Sequence, residues 1–154
     1  MPIGDYCQKD VRTIDVGATL REAAQRMAEE GVGCLIALQG AYPRGMLTDR
    51  DVALRVLRDG LDPDEAHVQD ALTPDPVVVH ASSPLRAAAA VMRRRAVRRL
   101  PVLDDEERLV GVLTLDDLVG LLARELSGLA DAVGAQAPGG PRGARSSDVG
   151  PEVE

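Results

Sequence analysis

Apolar residues recur along this chain in two alternating rhythms. Leu20, Ala23, Ala24 and Met27 fall at i, i+3, i+4 and i+7, the stripe of a helix with one buried face, and Leu85, Ala88, Ala89 and Met92 repeat it. After each stripe comes a short apolar run, CLIAL at residues 34–38 and RLPVL at 99–103, of the length expected for a buried strand. A turn-forming stretch, QGAYP or DDEER, then separates each run from a second one, RGML or LVGVL, so each pair reads as adjacent strands. A further helix opens at TDRD or TLDD and carries Val52, Val56 and Leu57, or Leu118, Leu122 and Leu126, along one face. Thr19 with Glu22 forms a capping box, and Ser83 before Pro84 supplies an N-cap and a first-turn proline.

These parallels amount to an internal duplication. Leu20 and Leu85, Ala23 and Ala88, Met27 and Met92, and Val32 and Val97 are each 65 positions apart, while GMLTDRD and GVLTLDD are offset by 66, which implies one extra residue in the second copy near residues 104–108. The predicted fold is α/β (α+β): two β-α-β-β-α repeats forming one module. The expected boundaries are an N-terminal segment at 1–10, repeat 1 at 11–60, a connector at 61–70, repeat 2 at 71–130, and a disordered tail at 131–154. From about Gly134 the chain turns to Gly, Pro, Ala, Arg and Ser, a composition that buries too little to offset its ordering entropy.

Composition restricts the function. With 154 residues the chain has the length of one ordinary domain or two very small ones. It has no Trp or Phe and only Tyr6 and Tyr42, so the core is aliphatic and a row of base-stacking rings is excluded. A formal charge of −7 disfavours nucleic acid and anionic membranes. No run approaches the ~18 apolar residues of a membrane span, and residues 1–20 carry no signal-peptide core, so the expectation is a soluble, cytoplasmic protein. Cys7 and Cys34 lie far apart with no CxxC spacing, which makes reduced packing thiols the expected state.

The candidate chemistry lies in two places. The phrase G-x-L-T-x-x-D occurs as Gly45, Leu47, Thr48, Asp51 and again as Gly111, Leu113, Thr114, Asp117. A strand ending in Thr at a helix start offers backbone N–H groups to a phosphate, an Asp three residues on accepts from a ribose diol, and the glycine admits a ligand close to the backbone. The same Thr-x-x-Asp also suits a capping box, which is a purely structural role. Among the arginines of RRRAVRRL, Arg93, Arg94 and Arg95 suit a solvated helix end, whereas Arg98 and Arg99 open a buried strand and present forked donors suited to an anion. Gly33 and Cys34 stand at the equivalent places in the first copy. His67 and His80 have no nucleophile or acid partner in a recognisable arrangement, so no catalytic residue is expected.

Together, MLTDRD, VLTLDD and VRRLPV in this repeated order resemble the tandem CBS-domain pair, or Bateman module, over roughly residues 11–126, and in particular the small stand-alone bacterial two-repeat proteins. That resemblance implies a pseudo-twofold α/β pair whose cleft binds an adenosyl ligand: AMP, ADP, ATP or S-adenosylmethionine, a nucleotide being accompanied by Mg²⁺ in one version. On this reading Thr48 and Asp51 cooperate with Arg98 and Arg99 across the repeats, while Thr114 and Asp117 define a second site facing Gly33 and Cys34. The implied protein is non-catalytic, requires no cofactor, forms a homodimer, and signals to an effector protein whose identity the sequence does not give. The alternative is an interaction module of the same fold without ligand affinity.

Overall fold

The computed structural model describes residues 1–136. In chain order the elements are β1 (Thr13–Asp15), α1 (Leu20–Glu30), β2 (Cys34–Gln39), β3 (Tyr42–Thr48), α2 (Asp49–Ala53), β4 (Thr73–Pro74), β5 (Val79–His80), α3 (Leu85–Arg95), β6 (Arg99–Leu103), β7 (Leu109–Thr114) and α4 (Leu115–Gln136). The predicted mixed fold is the observed one. One sheet has the order β1-β2-β3-β4 and the other β5-β6-β7; the first pair in each is parallel, joined through a helix, and the next is antiparallel. Both ladders slip by a residue at equivalent places, Ala37/Leu38 and Val102/Leu103. The chain divides into two compact units, residues 1–120 and the remainder, and both sheets belong to the first.

The helix stripes bury as their spacing predicts. Leu20, Ala23 and Met27 of α1 pack with Ile14, Leu35, Ala37 and Leu47, and Leu85, Ala88 and Met92 of α3 are buried in their turn. Thr19 closes its capping box with Glu22, accepting from the Glu22 N–H at 3.1 Å. Each helix then stops on a left-handed residue: Gly31 at φ 64° and, at the equivalent place, Ala96 at φ 52°. In this backbone region a Cβ crowds the following carbonyl, so Ala96 is the strained member of the pair.

Two expected boundaries need correction. Residues 61–70 are more than a connector, and residues 1–10 are not outside the repeats. Val68 and Ala71 are buried in the first core, and β4 completes the first sheet beside β3. Residues 2–8 do the same for the second copy: Ile3 is fully buried, Gln8 bridges to Val112, and the Ile3 and Gly4 N–H groups donate to the Ser83 and Ala81 carbonyls at 2.9 and 2.8 Å. The bonds match one for one at the 65-residue offset, since Val68 and Gln69 donate to Ala18 and Val16 at 2.8 and 3.1 Å. Each repeat is thus finished by a segment that precedes it or follows it in the chain.

This arrangement explains two glycines. A Cβ on Gly45 would collide with the Thr73 carbonyl, and one on Gly111 would lie 2.5 Å from Cys7 Sγ and 2.7 Å from the Gln8 carbonyl. The close approach expected of a ligand at Gly45 and Gly111 is made by the protein's own chain.

Three smaller expectations also change. Ser83 is not the N-cap of α3: Pro84 stands at the place of Thr19 and holds it without a side-chain bond. Beyond α2 the chain widens into a π-helical turn, Leu54–Arg58, which rotates Leu57 out to 84% exposure while Val52 and Val56 stay against the core. Finally, residues 131–136, assigned to the tail, are helical; residues 137–154 lie outside the described part. Within the second unit, Leu126, Leu129 and Val133 are exposed.

Two substitutions test this account by thermal or chemical unfolding. Ala96→Gly relieves the left-handed strain and is expected to stabilise by about 1 kcal/mol. Gly45→Ala pushes a methyl against the Thr73 carbonyl of β4 and is expected to destabilise by about 1–3 kcal/mol.

Candidate ligand-binding site

Both T-x-x-D motifs form capping boxes. Asp51 N–H donates to Thr48 Oγ1 at 3.1 Å, and Thr48 N–H donates back to Asp51 Oδ2 at 2.9 Å. In the second copy Thr114 Oγ1 and N–H both donate to Asp117 Oδ2, at 2.6 and 3.2 Å, and Gln8 Nε2 adds a third donor at 2.9 Å. In both copies the engaged oxygen is Oδ2; among the described residues Oδ1 of Asp51 and of Asp117 takes no hydrogen bond.

The helix start of α2 is not the phosphate cradle that the sequence suggested. The Asp49 N–H donates to the Gly33 carbonyl at 3.0 Å, Arg50 N–H to Asp49 Oδ1 at 2.8 Å, and Asp51 N–H to Thr48 Oγ1. Its first three donors are already satisfied by the chain. Equivalently, the Leu115 N–H that opens α4 donates to the Arg98 carbonyl at 2.8 Å. Gly33 and Arg98 therefore act through their backbones, tying the entry of one strand to the start of the helix that follows the next.

A cavity of about 340 Å³ opens between the two repeats. Its apolar surface comes from Val32, Ile36 and Met46 of repeat 1 and from Pro101 and Val112 of repeat 2; its polar rim carries Cys34, Arg99, Thr114, Gln8, Asp10 and Arg12. This is the make-up of a small-molecule site, apolar walls with a few convergent polar groups, near the lower end of the usual ~300–1,000 Å³. The ladder explains the pairing of Arg99 with Thr114, since the two residues lie opposite each other in β6 and β7. Likewise Cys34 lies opposite Thr48 in β2 and β3.

The proposed residues thus separate. Arg99 and Thr114 line the cavity, together with Gly33 and Cys34. Thr48, Asp51, Arg98, Asp117, Gly45 and Gly111 do not. Asp117 reaches the rim indirectly, through Thr114 and Gln8. Sequence reasoning missed Gln8, Asp10 and Arg12, because residues 1–12 showed neither helical nor strand periodicity. The signal available was the same offset: Ile3 and Cys7 stand 65 positions before Val68 and Leu72.

Two charge clusters meet at this rim. Arg12 is paired with both Asp10 and Glu30, and Asp10 in particular raises the guanidinium above its usual pKa. The charges of Arg99, Asp51 and Asp49 all act on Cys34. Burial pushes its thiol up; the positive Arg99 partly offsets this, and the two carboxylates add to it.

A family model confirms what the doubled site geometry indicates: the CBS domain model matches residues 3–58 and again 68–124. The chain belongs to the CBS domain family. Both matches begin at the segments that the structure shows crossing between repeats. The pair is 33% identical over 129 residues to the CBS domain-containing protein YhcV of Bacillus subtilis, covering 83% of this chain and 91% of that protein. It is 30% identical over 118 residues to an uncharacterized protein of Methanopyrus kandleri, matching 76% of this chain but only 60% of that relative's length. Among solved structures, CBSX2 of Arabidopsis thaliana in complex with AMP is similar at TM-score 0.66 and 25% identity, covering 80% of this chain and 96% of that chain. Among the described residues no helix is long and apolar enough to cross a membrane.

The Cys34 environment makes a pH-dependent prediction. Because its pKa is raised, the neutral thiol persists to higher pH than in a free cysteine, so alkylation by iodoacetamide at neutral pH is expected to be slow and to accelerate as pH rises. Arg99→Ala removes a guanidinium that favours the thiolate and is expected to shift that profile to still higher pH. A Cys34→Ser control identifies the signal.

Proposed function

We propose that this CBS pair is a regulatory module that binds an adenosyl ligand in the cavity between its repeats and acts by a change of arrangement rather than by catalysis. The observation that carries the reading is the cavity itself: both repeats contribute to it, apolar walls flank it, and Arg99 and Thr114 converge on one side. The similar Arabidopsis protein bound to AMP supports this choice of ligand class.

In this reading the adenine lies against Ile36, Met46, Pro101 and Val112, and Arg99 meets the phosphate or carboxylate with a charge-assisted hydrogen bond. Thr114 contributes its hydroxyl. Asp117, held at the rim by Thr114 and Gln8, offers its unengaged Oδ1 to the ribose hydroxyls; Asp51, capped by Thr48 opposite Cys34 in the β2–β3 ladder, is the alternative ribose acceptor. Arg98 serves by its backbone, and Gly45 and Gly111 have no ligand role. Any Mg²⁺ enters with the ligand's phosphates.

For regulation, the ligand must bind one arrangement of the protein better than another. A homodimer is the assembly we favour, supported by the exposed Leu126, Leu129 and Val133, which recur at three- and four-residue spacing on one face of α4. An effector protein then reads the state of that dimer. Two free cysteines suit a reducing compartment such as the cytoplasm.

Calorimetric titration of AMP, ATP and S-adenosylmethionine tests the reading. At least one is expected to bind, with Arg99→Ala weakening binding by about 10–100-fold, the loss of ~1.5–3 kcal/mol expected for a charge-assisted bond. Asp117→Ala and Asp51→Ala distinguish the two ribose positions by which one costs affinity. If none of the three ligands binds, the interaction module without ligand affinity takes its place.

A further inference from the structure

The two repeats share a backbone plan but invert the charge of one helix. Helix α1 carries Arg21, Glu22, Arg26, Glu29 and Glu30, whereas α3 carries Arg86, Arg93, Arg94 and Arg95 with no acid, and Arg98 and Arg99 follow it. At the 65-residue offset Arg94 and Arg95 stand where the first copy has Glu29 and Glu30. Glu30 ion-pairs with Arg12 and Arg26, and at the equivalents of those two partners stand Val77 and Val91. Residues 76–103 contain no carboxylate, and among the described residues none of the arginines in that stretch has one within ion-pair distance. All of them are exposed; Arg99 lines the cavity, and the others lie outside its lining. The dipole of α3 favours cations at this end by only about 0.3–1 kcal/mol each, and adjacent like charges repel. Since α1 ends on two glutamates at the same place, the fold itself does not require the arginines.

We propose that the outward face of α3 docks an acidic segment of a partner protein, with Arg86, Arg93 and Arg94 receiving its carboxylates and Arg95 and Arg98 extending the positive surface beyond the helix end. Arg86, Arg93 and Arg94 fall at i, i+7 and i+8, opposite the buried Leu85, Ala88 and Met92. They span about 12 Å of helix, which about four extended residues cover. Each guanidinium donates two parallel hydrogen bonds to a carboxylate, a match that an ammonium does not make. The rest of the chain selects a short partner over a long polyanion. Its net charge is −7, yet screening confines each charge to about 8 Å at physiological salt. A short acidic peptide therefore meets only the arginines, whereas a nucleic acid or an anionic membrane extends over the acidic remainder and is repelled.

Fluorescence anisotropy of a labelled decaglutamate peptide mixed with the full chain, in the absence of any adenosyl compound, tests the proposal. Saturable binding that weakens with added salt is expected. Replacing Arg93 and Arg94 together by Gln is expected to weaken it about threefold or more, and Arg86→Gln alone about twofold, the loss of one exposed ion pair per residue. Glutamine keeps the helix propensity of arginine, so the fold is expected to survive, and circular dichroism checks it. Arg26→Gln, on the equivalent helix but already paired with Glu30, is expected to leave peptide binding unchanged. No saturable binding, binding unmoved by the α3 variants, or an equal loss in Arg26→Gln overturns the proposal. So does tighter binding of a ten-nucleotide single-stranded DNA or of phosphatidylserine vesicles than of the peptide. Self-association in sedimentation that the Arg93 and Arg94 variant abolishes would assign the face to a second copy and overturn it as well. Whether AMP binds bears on the cavity alone, so the two readings fail separately.

Discussion

The structure depends on the need of each small sheet for a covering segment that its own repeat does not supply. Neither β1-β2-β3 nor β5-β6-β7 covers its apolar interior. The missing pieces are residues 67–74 for the first and residues 2–8 for the second, which bring in Val68 and Ala71, or Ile3 and Cys7, as buried packing. Their backbones approach so closely that the facing position has to be glycine, at 45 in one sheet and 111 in the other. That requirement fixes the N-terminal segment along the second sheet, and residues 8–12 then continue into the wall of the cavity.

The same economy governs the polar groups. At the start of α2 the chain satisfies its own donors, from the Gly33 carbonyl, the Asp49 carboxylate and the Thr48 hydroxyl, so affinity for an anion cannot reside there. What remains available is Arg99, which lines the cavity and among the described residues has no carboxylate within ion-pair distance, and the oxygens of Asp51 and Asp117 that their capping boxes leave over. A cap and a ligand contact are therefore compatible roles for one carboxylate, because its two oxygens can serve different partners.

Much of this was legible in the residues. The stripe of Leu20, Ala23 and Met27 and its copy at Leu85, Ala88 and Met92 specified both helices, and their constant spacing specified the duplication. Arg99 announced itself by opening a buried strand. Other features were hidden for definite reasons. Gly45 looks the same in sequence whether a ligand or a strand presses on it, since both need only the missing Cβ. Leu57 kept an α-helical spacing, but the π-turn at Leu54–Arg58 changed the angle at which that spacing points. Residues 2–8 make their contacts with chain about 80 to 100 residues away, and a local pattern carries no information on such partners.

The exchange of finishing segments bears on how such a protein could arise. A single copy of the repeat, translated alone, would present residues 2–8 without the sheet they complete, and the shortest remedy is a second identical chain that returns the favour. The tandem gene then reads as a swapped dimer made permanent, with chain continuity replacing a concentration-dependent encounter by an intramolecular one. Once both halves share one polypeptide, they are free to diverge, and the contrast between Gly33-Cys34 and Arg98-Arg99 is what such freedom leaves behind.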